Sequence, residues 1–367
     1  MDIPLFNTFI DEQAQSSVLS VLESSYLSEG RLVQEFEKQL HEELGFSNPL
    51  GVNSGTAALH LAVILAGIKP GDEVICPAQT FIASAMVIIQ EKATPVFADI
   101  KFETGNIDPL SVESKITPKT KAILCVHWGG MPCDLDELQQ IAQKYNLRVI
   151  EDAAHSPGAT YKNEPIGSIS DFTCFSFQAI KHLTTGDGGA ICCKNKMDSD
   201  EAFKLRWFGI DRINDLPSSL GERQYNIKRC GYKYHLNDYA AALGLANLKQ
   251  FKKRLARHRD IACFYRKSLK DLSGISLFAE DDNRKGSYWL FGFHVEKRDD
   301  FIKAMKSKGV VTSVVHQRID RNEVFGGLRT DLPNQERFDH SQVNIPIYSS
   351  LTDEQMETIV ATIRAGW

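Results

Sequence analysis

Several features that mark other protein classes are missing from this sequence of 367 residues. The longest apolar stretches, such as residues 61–66, are too short to span a bilayer. Residues 1–4 have no basic region followed by an apolar one, so no signal peptide is expected. A net charge of −5, from 42 basic and 47 acidic residues, is not typical of nucleic-acid binding or of a polybasic membrane surface. We therefore expect neither nucleic acid nor membrane as a partner.

The cysteine pattern argues against two further kinds of protein. The sequence has no Cys-x-x-Cys pair, and its eight cysteines are scattered along the chain. Some lie inside apolar runs, such as Cys76 after Ile75 and Cys125 between Leu124 and Val126. This placement favours buried free thiols over a zinc site or a disulfide framework. No bound metal is therefore expected, and the pattern fits a reducing cytoplasm.

The chain has no internal repeat and no low-complexity linker, but it does have a regular alternation of apolar patterns. In its first two-thirds, short strand-like runs alternate with amphipathic stretches, which predicts an α/β layer with a mostly parallel sheet. The strand-like runs are continuously apolar, as expected where helices cover both faces of the sheet. The predicted helices span residues 56–68, 82–91 and 134–145. The predicted strands span residues 73–76, 94–98, 122–127, 147–151, 172–177 and 189–193.

The last third of the sequence predicts a smaller α+β unit. One long helical pattern is expected over residues 238–269, and the charge run 249–254 within it is interpreted as a solvated helix face. The remaining expected elements are strands at 288–294 and 310–315, a helix at 299–308 and a final helix from Thr352. We place the domain boundary near residue 245, which gives a large domain of residues 1–245 and a small domain of residues 246–367.

Two short segments near predicted strand and helix ends could bind a ligand. Asn53-Ser54-Gly55-Thr56 precedes a helical stretch, where glycine permits close approach and the helix N-terminus attracts a phosphate. The simpler interpretation of this segment is an ordinary helix N-cap. Phe81 follows a predicted strand, at the edge where open α/β sheets bind ligands, and could stack on a flat ring. The alternative is that Phe81 belongs to the hydrophobic core.

Two later segments contain an acid and a lysine that could take part directly in a reaction. A buried strand ends in Glu151 and Asp152, and an unpaired buried carboxylate is costly. Asp152 could pair with a protonated pyridine nitrogen, or it could cap a helix. Lys181 follows an apolar strand and precedes a glycine-rich return, and a lysine in an apolar pocket is the residue type that forms Schiff bases. Ser176, five residues earlier, could bind a phosphate. The alternative for Lys181 is a surface loop lysine.

Taken in order, these four segments resemble the DegT/DnrJ/StrS family of sugar aminotransferases, which has the aspartate-aminotransferase-like fold (fold type I). The resemblance runs from about Ser25 to the C-terminus and is most specific at residues 53–60, 151–155 and 176–189. It implies pyridoxal 5′-phosphate (PLP) as cofactor. It also implies a large domain with a mostly parallel sheet flanked by helices, followed by a smaller C-terminal α+β domain.

The resemblance implies a role for each matched position. Lys181 is expected to be the Schiff-base lysine and the proton carrier, and Asp152 to pair with the pyridinium nitrogen. Phe81 is expected to stack on the cofactor ring, and His155 to lie near the ring hydroxyl. The residues expected around the cofactor phosphate are Ser54, Gly55, Thr56 and Ser176. Those expected to bound the space where the sugar reacts are Thr80, Phe81, His127 and Lys181.

Three other stretches resemble the family more loosely. Gly30 and Arg31 begin a segment similar to the N-terminal glycine turn near the sugar nucleotide. Residues 231–238 resemble the segment that reaches the neighbouring subunit's site, which implies a homodimer with shared active sites. Within it, members often have Asn at the position of Lys233 or of His235, and a basic residue would suit the cofactor phosphate. His316 lies in a run that differs from the His-Tyr-x-Pro-Leu-His-like stretch of many members, in the region that helps hold the nucleotide-sugar.

The resemblance favours transamination of a nucleotide-linked keto-sugar, with glutamate as the amino donor. A dehydratase branch of the family replaces the lysine with histidine, whereas this chain retains Lys181. Residues 184–189 resemble the Thr-Thr-Gly-Glu-Gly-Gly run of enzymes acting at the fourth sugar carbon, as in the perosamine and viosamine groups. A 4-keto-6-deoxy sugar of a surface-polysaccharide pathway is therefore expected. The alternatives are another fold-type-I PLP enzyme, such as a keto-inositol aminotransferase, and a non-catalytic regulatory protein.

Overall fold

The computed structural model describes residues 2–214 and 218–367. Helices and strands alternate along most of the first two hundred residues, as the apolar patterns predict. Within the described residues the α-helices are α1 (Ala14–Glu23), α2 (Arg31–Leu44), α3 (Gly55–Leu65), α4 (Ala83–Gln90), α5 (Pro109–Ser114), α6 (Leu135–Tyr145), α7 (Lys196–Leu205), α8 (Asp238–Leu248), α9 (Phe251–Leu269), α10 (Arg298–Ser307), α11 (Pro333–Ser341) and α12 (Asp353–Arg364).

The strands form one large sheet and two small ones. The large sheet has seven strands in the order β1-β9-β8-β5-β4-β2-β3. The pairs from β8 to β3 are parallel, whereas β9 is antiparallel to both β8 and β1. The prediction of an α/β fold with a mostly parallel sheet is confirmed. The strands are β1 (Pro49–Val52), β2 (Glu73–Pro77), β3 (Thr94–Ala98), β4 (Thr120–Val126), β5 (Arg148–Asp152), β6 (Thr160–Tyr161), β7 (Glu164–Pro165), β8 (Phe172–Ser176), β9 (Gly189–Cys193), β10 (Ile275–Leu277), β11 (Arg284–Lys285), β12 (Phe291–Val295) and β13 (Gln342–Ile345).

Both faces of the large sheet are buried. Successive side chains of a strand point to opposite faces, and accordingly Ile123 of β4 packs in one hydrophobic cluster and Leu124 in another. In β5, Val149 and Ile150 divide between the same two clusters. This arrangement explains why the strands are continuously apolar in sequence. It also fixes the direction in which the polar residues at the strand ends must point.

The C-terminal part has its own sheet and core. Strands β10, β12 and β13 form an antiparallel sheet, and Phe293 and Phe301 lie in its hydrophobic cluster. The single helix expected over residues 238–269 is in fact two helices, α8 and α9, interrupted at Lys249 and Gln250. Helix α9 packs Phe251 into a core of the large sheet, whereas its later residues pack into the C-terminal core. The boundary near residue 245 stays a prediction.

Two expectations for the C-terminal part need correction. Residues 310–315 do not form a strand: Val310 and Ser313 make only isolated bridges, to Ile3 and Asn344. Val315 has a φ of 62°, which takes the backbone out of the extended region and ends any pairing. The strand expected at 288–294 begins only at Phe291, since Tyr288 has a φ of 54°, outside the extended region.

Two predictions from composition can also be compared with the structure. All eight cysteines are free thiols, and six of them are buried as expected. Cys230 and Cys263 are exposed, which the sequence pattern did not indicate. No helix in the described part of the chain is long and apolar enough to cross a membrane.

Candidate active site

A cleft opens where the carboxyl ends of the parallel strands meet the N-terminus of α3. Its volume is about 330 Å³, which is within the usual range of small-molecule sites. The carboxyl edge of an open α/β sheet is the common place for a ligand. The lining residues are Ser54, Gly55, Thr56, Leu59, Thr80, Phe81, Ala83, Val126, Asp152, Ala154, His155, Cys174, Ser176, Gln178, Ile180, Lys181, Asp187, Gly188, Trp289 and His316.

Lys181 lies in the cleft and is half-buried. Its Nζ is 3.3 Å from the centroid of the Trp289 ring. Burial lowers the pKa of Lys181 to about 7, although the negative charge of Asp152 acts in the opposite direction. Lys181 thus lies in a loop, but it lines the cleft and not the open surface. An amine with such a pKa exists in both protonation states near neutral pH, which suits a nucleophile and a proton carrier.

Asp152 is the last residue of β5 and points into the cleft. One carboxylate oxygen accepts a hydrogen bond from Ser84 Oγ at 2.6 Å, and the other accepts one from the Ala154 N–H at 3.2 Å. Burial raises the pKa of Asp152, while the Ser84 and Ala154 hydrogen bonds and the charge of Lys181 act to lower it. The residues directly after β5 form turns and no helix, so Asp152 is not a helix cap. The carboxylate retains acceptor capacity for a cation in the cleft.

The N-terminus of α3 forms the side of the cleft that is suited to an anion. Ser54 caps the helix, since its Oγ accepts a hydrogen bond from the Ala57 N–H at 3.0 Å. The backbone of Gly55 lies against Ser176, and a Cβ on Gly55 would be 2.9 Å from the Ser176 Cβ. This segment is therefore a helix N-cap that also lines the cleft. Helix dipole and free N–H groups favour a phosphate here.

Aromatic rings form the walls of the cleft. His155 stacks on Trp289 with ring centroids 3.9 Å apart, and its buried Nδ1 has no hydrogen-bond partner in the described residues. Burial holds the pKa of His155 well below its ordinary value, so the imidazole is neutral. Phe81 is 54% exposed and therefore does not belong to the core. The centroid of its ring is 5.3 Å from that of the His316 ring. Thr80 is buried, and its hydroxyl is 2.6 Å from Ser84 Oγ.

His127 was expected next to the reacting sugar, but it does not line the cleft. Its side chain is fully buried, and its Nε2 is 2.7 Å from Glu151 Oε2. The Cys133 N–H donates to His127 Nδ1 at 3.1 Å, so this nitrogen carries no proton and Nε2–H is the donor to Glu151. Burial acts to lower the pKa of this imidazole, whereas the Cys133 thiol and the Glu151 carboxylate act to raise it above its ordinary value. The Cys133 N–H directed at Nδ1 is the contact that keeps the ring neutral. His127 is thus enclosed in the interior, away from any substrate.

Four other predicted site residues lie outside the cleft formed by their own chain. The Gly30 N–H donates to Asp238 Oδ1 at 2.9 Å, and Arg31 begins α2 on the surface. The Lys233 ammonium lies 3.8 Å from the centroid of the Trp207 ring. His235 packs edge-on against the same ring, and burial lowers its pKa to about 4. If Lys233 and His235 serve a PLP site, that site belongs to another chain.

Some lining residues were not anticipated from the sequence. Trp289 comes from the C-terminal part and contacts both Lys181 and His155. Its only sequence signal was its place in a strand-like run, which gives no side-chain direction. Ser84 does not itself line the cleft, but its Oγ donates to the Asp152 carboxylate and lies 2.6 Å from the Thr80 hydroxyl oxygen. Within the described residues, no group of three or more His, Cys, Asp or Glu side chains could hold a metal ion.

The charges of the cleft are unbalanced for an anionic ligand. Among the lining residues Lys181 is the one strong base, and the acids Asp152 and Asp187 also face the cavity. Both lining histidines are neutral, because burial lowers the pKa of His155 and also lowers that of His316 to about 4. A phosphate bound at α3 therefore receives helix-terminus N–H groups and hydroxyls from this chain but little formal positive charge.

Comparison with known proteins places this geometry in one group. The model of the DegT/DnrJ/EryC1/StrS aminotransferase family matches residues 8–364. The spore coat polysaccharide biosynthesis protein SpsC of Bacillus subtilis is 37% identical, over 99% of this chain and 96% of its own length. The GDP-perosamine synthase of Escherichia coli O157:H7 is 32% identical, over 98% of this chain and 97% of its own.

Solved structures give the same result. The PLP form of Spr1654 from Streptococcus pneumoniae, a candidate sugar aminotransferase, superposes with a TM-score of 0.91 at 30% sequence identity. The superposition covers 100% of this chain and 98% of that chain. The similarity therefore includes the large sheet, the cleft and the C-terminal part together.

Proposed function

Because the chain belongs to the DegT/DnrJ/EryC1/StrS aminotransferase family, we propose that it uses PLP to transfer an amino group from glutamate to a nucleotide-linked keto-sugar. The single observation that supports this most strongly is the meeting of Lys181 and Asp152 in one enclosed cleft beside the N-terminus of α3. A carbonyl-reactive lysine, an acid and an anion site are the three groups that PLP requires.

The residues present fit this cofactor. The N-terminus of α3 and the Ser176 hydroxyl would hold the phosphate, and Asp152 would hold the ring nitrogen. The unpartnered Nδ1 of His155 faces a cavity in which a polar group could satisfy it. Phe81, which is exposed in this chain, would gain a stacking partner. When bound, PLP supplies an electron sink for the carbon that loses its proton.

The protein's own part in the reaction is to position groups and to move a proton. Lys181 Nζ, with a pKa of about 7, can take a proton from the donor's α-carbon and return one to the sugar carbon. Asp152, whose carboxylate accepts a hydrogen bond from Ser84 Oγ, would keep the ring nitrogen of the cofactor protonated. The Trp289 ring, which stacks on His155, covers one side of the Lys181 amine and so limits the access of water there.

The sugar substrate is inferred from relatives and from one sequence run. The Escherichia coli relative is named as a synthase of a GDP-linked sugar, and the Bacillus subtilis relative as a polysaccharide biosynthesis protein. Residues 184–189 resemble enzymes acting at the fourth sugar carbon, and here Thr184 and Thr185 are buried while Asp187 and Gly188 line the cleft. These features support a 4-keto-6-deoxy sugar nucleotide in a surface-polysaccharide pathway.

A homodimer with shared sites is part of the same proposal. The cleft of one chain offers little positive charge beyond Lys181, whereas Lys233 lies on the surface of the same chain, outside the cleft. Exposed apolar side chains of the surrounding segment, such as Phe208, Tyr225 and Ile227, provide a surface for a second copy. A neighbour's Lys233 would supply the cation that a phosphate needs.

A mixing experiment tests the shared site. Lys181→Ala protein is combined, under conditions that exchange subunits, with a Lys233→Ala/His235→Ala protein. Shared sites predict recovery of about a quarter of wild-type activity, because half of the dimers are mixed and each has one intact site of two. No recovery from two folded, inactive and exchanging variants would mean that the segment serves its own chain.

A substrate screen tests the proposed reaction. The protein, loaded with PLP, should be yellow and should lose this colour on treatment with borohydride. With glutamate as donor it should then aminate a nucleotide-linked 4-keto-6-deoxy sugar, detected by the mass of the product. Amination of a keto-inositol instead would identify the other PLP reaction considered above. A colourless protein that turns over none of these ketones would point to a regulatory role.

A further inference from the structure

Trp289 contacts the key lysine in two ways. Its ring lies 3.3 Å from Lys181 Nζ, and its indole N–H donates to the Ile180 carbonyl at 3.0 Å. The tryptophan therefore touches both the amine of Lys181 and the peptide group that precedes it. Among the described residues, Lys181 Nζ has no hydrogen-bond or ion-pair partner, and the face of the Trp289 ring lies directly against it.

The position of Trp289 is held by many surrounding contacts. Its side chain is 2% exposed, and its ring stacks with both His155 and Phe6. The preceding residue, Tyr288, has a φ of 54°, which is unusual for a bulky side chain. Backbone strain of this kind persists only where neighbours enforce it and is concentrated at functional sites. The tryptophan ring is thus directed at Lys181 at a conformational cost.

The contacts that enforce this backbone come from both sides of the cleft. Ser287 Oγ donates to the His155 carbonyl at 2.7 Å, and the Tyr288 carbonyl is 3.0 Å from His258 Nδ1. The Leu290 N–H donates to the Gly129 carbonyl at 3.2 Å. The backbone on either side of Trp289 is therefore fixed, while the ring itself is held by His155, Phe6 and its own hydrogen bond to the Ile180 carbonyl.

We propose that the ring face of Trp289 is the resting site of the free Lys181 amine. The inference rests on the proposed function, in which the lysine is free whenever the cofactor carries the amino group. An aromatic face attracts an ammonium but has no comparable attraction for a neutral amine. Burial has the opposite effect, since it disfavours the ammonium. Trp289 is thus a positioning residue that keeps the released amine close to the reacting carbon and able to hold a proton.

The titration of Lys181 in the full-length chain without cofactor tests the contact directly. The pH dependence of lysine acylation by acetic anhydride is followed by mass spectrometry of the peptide containing Lys181. Trp289→Met, which fills space without an aromatic face, should lower the pKa of Lys181 by about half a unit to one unit. Trp289→Phe retains an aromatic face but loses the N–H, and should leave the pKa near the wild-type value.

Three results would overturn the proposal. The first is a pKa of Lys181 that is unchanged or raised in Trp289→Met. The second is an equal change of this pKa in both variants, which would identify the hydrogen bond to Ile180 as the important contact. The third is that acylation of Lys181 in protein loaded with pyridoxamine 5′-phosphate does not depend on Trp289. The titration without cofactor does not depend on PLP chemistry. Failure of the proposed function is therefore detected by a different result, namely that PLP does not bind at Lys181.

A second measurement covers the case in which Trp289→Met does not fold. Tryptophan fluorescence of the wild-type chain without cofactor should show a transition near pH 7, as the ammonium against the ring loses its proton. Lys181→Met and Trp289→Phe should both lack this transition. A wild-type chain with no such transition, or one that persists in Lys181→Met, would contradict the proposed contact.

Discussion

Glu151 and Asp152 are neighbours in β5, but they face two very different regions. Glu151 points into the interior, where it accepts hydrogen bonds from His127 Nε2, the Ser170 N–H and Thr173 Oγ1. Burial acts to raise the pKa of Glu151, but these donors outweigh it and hold the pKa below its ordinary value. Asp152 points into the cleft, where burial is not outweighed and the pKa is raised.

The difference separates a structural polar cluster from a binding site. The cluster around Glu151 is closed, because each charged oxygen has donors within the protein. The cleft around Asp152 is incomplete: the Lys181 amine has only the Trp289 ring, and His155 Nδ1 has no partner in the described residues. Buried polar groups are normally satisfied. Unsatisfied groups that converge on a cavity therefore indicate a ligand, whereas saturated ones indicate a role in stability.

The largest expected effect lies on the cleft side. Lys181→Ala removes both the carbonyl-reactive amine and the proton carrier, so we expect a loss of activity of at least about 100-fold. The melting temperature of the chain without cofactor should not fall, because the wild-type lysine is buried without an ion pair. Steady-state kinetics and thermal unfolding measure the two quantities. Full activity in a folded variant would remove Lys181 from the mechanism.

The two neighbouring acids should respond in opposite ways to the same chemical change. Asp152→Asn should bind PLP but lose most of its kcat, since an amide cannot hold the ring proton, and its stability should change little. Glu151→Gln should lose about 3 kcal/mol of unfolding free energy, because it leaves buried donors facing an amide. The kcat per folded Glu151→Gln molecule should be close to that of the wild type. Equal effects of the two substitutions on kcat would contradict the comparison.

The free energy of unfolding should also depend on pH, because Lys181 in the cleft has a different pKa in the folded and unfolded chain. Between pH 7 and about 10.5, the unfolded chain keeps the Lys181 proton whereas the folded chain without cofactor has lost it. The unfolded state then binds more protons, so the free energy of unfolding rises with pH, by at most about 1.4 kcal/mol per pH unit. Denaturant unfolding of wild type and Lys181→Met at pH 7, 8 and 9 measures the difference. If the difference in unfolding free energy between the wild type and Lys181→Met stayed constant with pH, the folded chain would not lower the pKa of Lys181.

The smallest effect is expected at the mouth of the cleft. Phe81→Leu removes an aromatic face and should weaken PLP binding by about fivefold, since stacking contributes about 1 kcal/mol. Leu110→Ala is a matched control, because Leu110 is another exposed apolar side chain, 78% accessible and outside the cleft. Equilibrium titration with PLP gives both affinities. If the two variants lost affinity equally, the Phe81 ring would not be a cofactor contact.

The sequence allowed much of the fold to be predicted, because the elements of the large sheet have strong local signals. The runs 94–98 and 189–193 match β3 and β9 residue for residue. The interruption at Lys249 and Gln250 could not be predicted, since both residues have good helix propensity and only packing against two cores separates the helices. The strand expected at 310–315 failed for a similar reason: the φ of Val315 is imposed by its surroundings.

The site divides along the same line. Residues at strand ends could be predicted to meet, because parallel strands share a carboxyl edge. His127 lies at this edge, but a step of one residue along a strand decides which face a side chain points to, and His127 points inward with Glu151. Trp289 could not be placed, because its contact with Lys181 joins residues more than a hundred positions apart. The sequence thus indicates which residues lie at the carboxyl edge of the sheet, whereas the packing of the chain decides whether each side chain points into the cleft.

Mapping the lysine that carries the cofactor tests the central claim most directly. The full-length protein is incubated with PLP, reduced with borohydride and digested, and the peptide that gains the pyridoxyl mass is sequenced by mass spectrometry. The cleft geometry predicts one added group per chain, on Lys181, with none on the surface lysine Lys233. A group found on another lysine, or no added group in a folded chain, would contradict the assignment of this cleft as the PLP site.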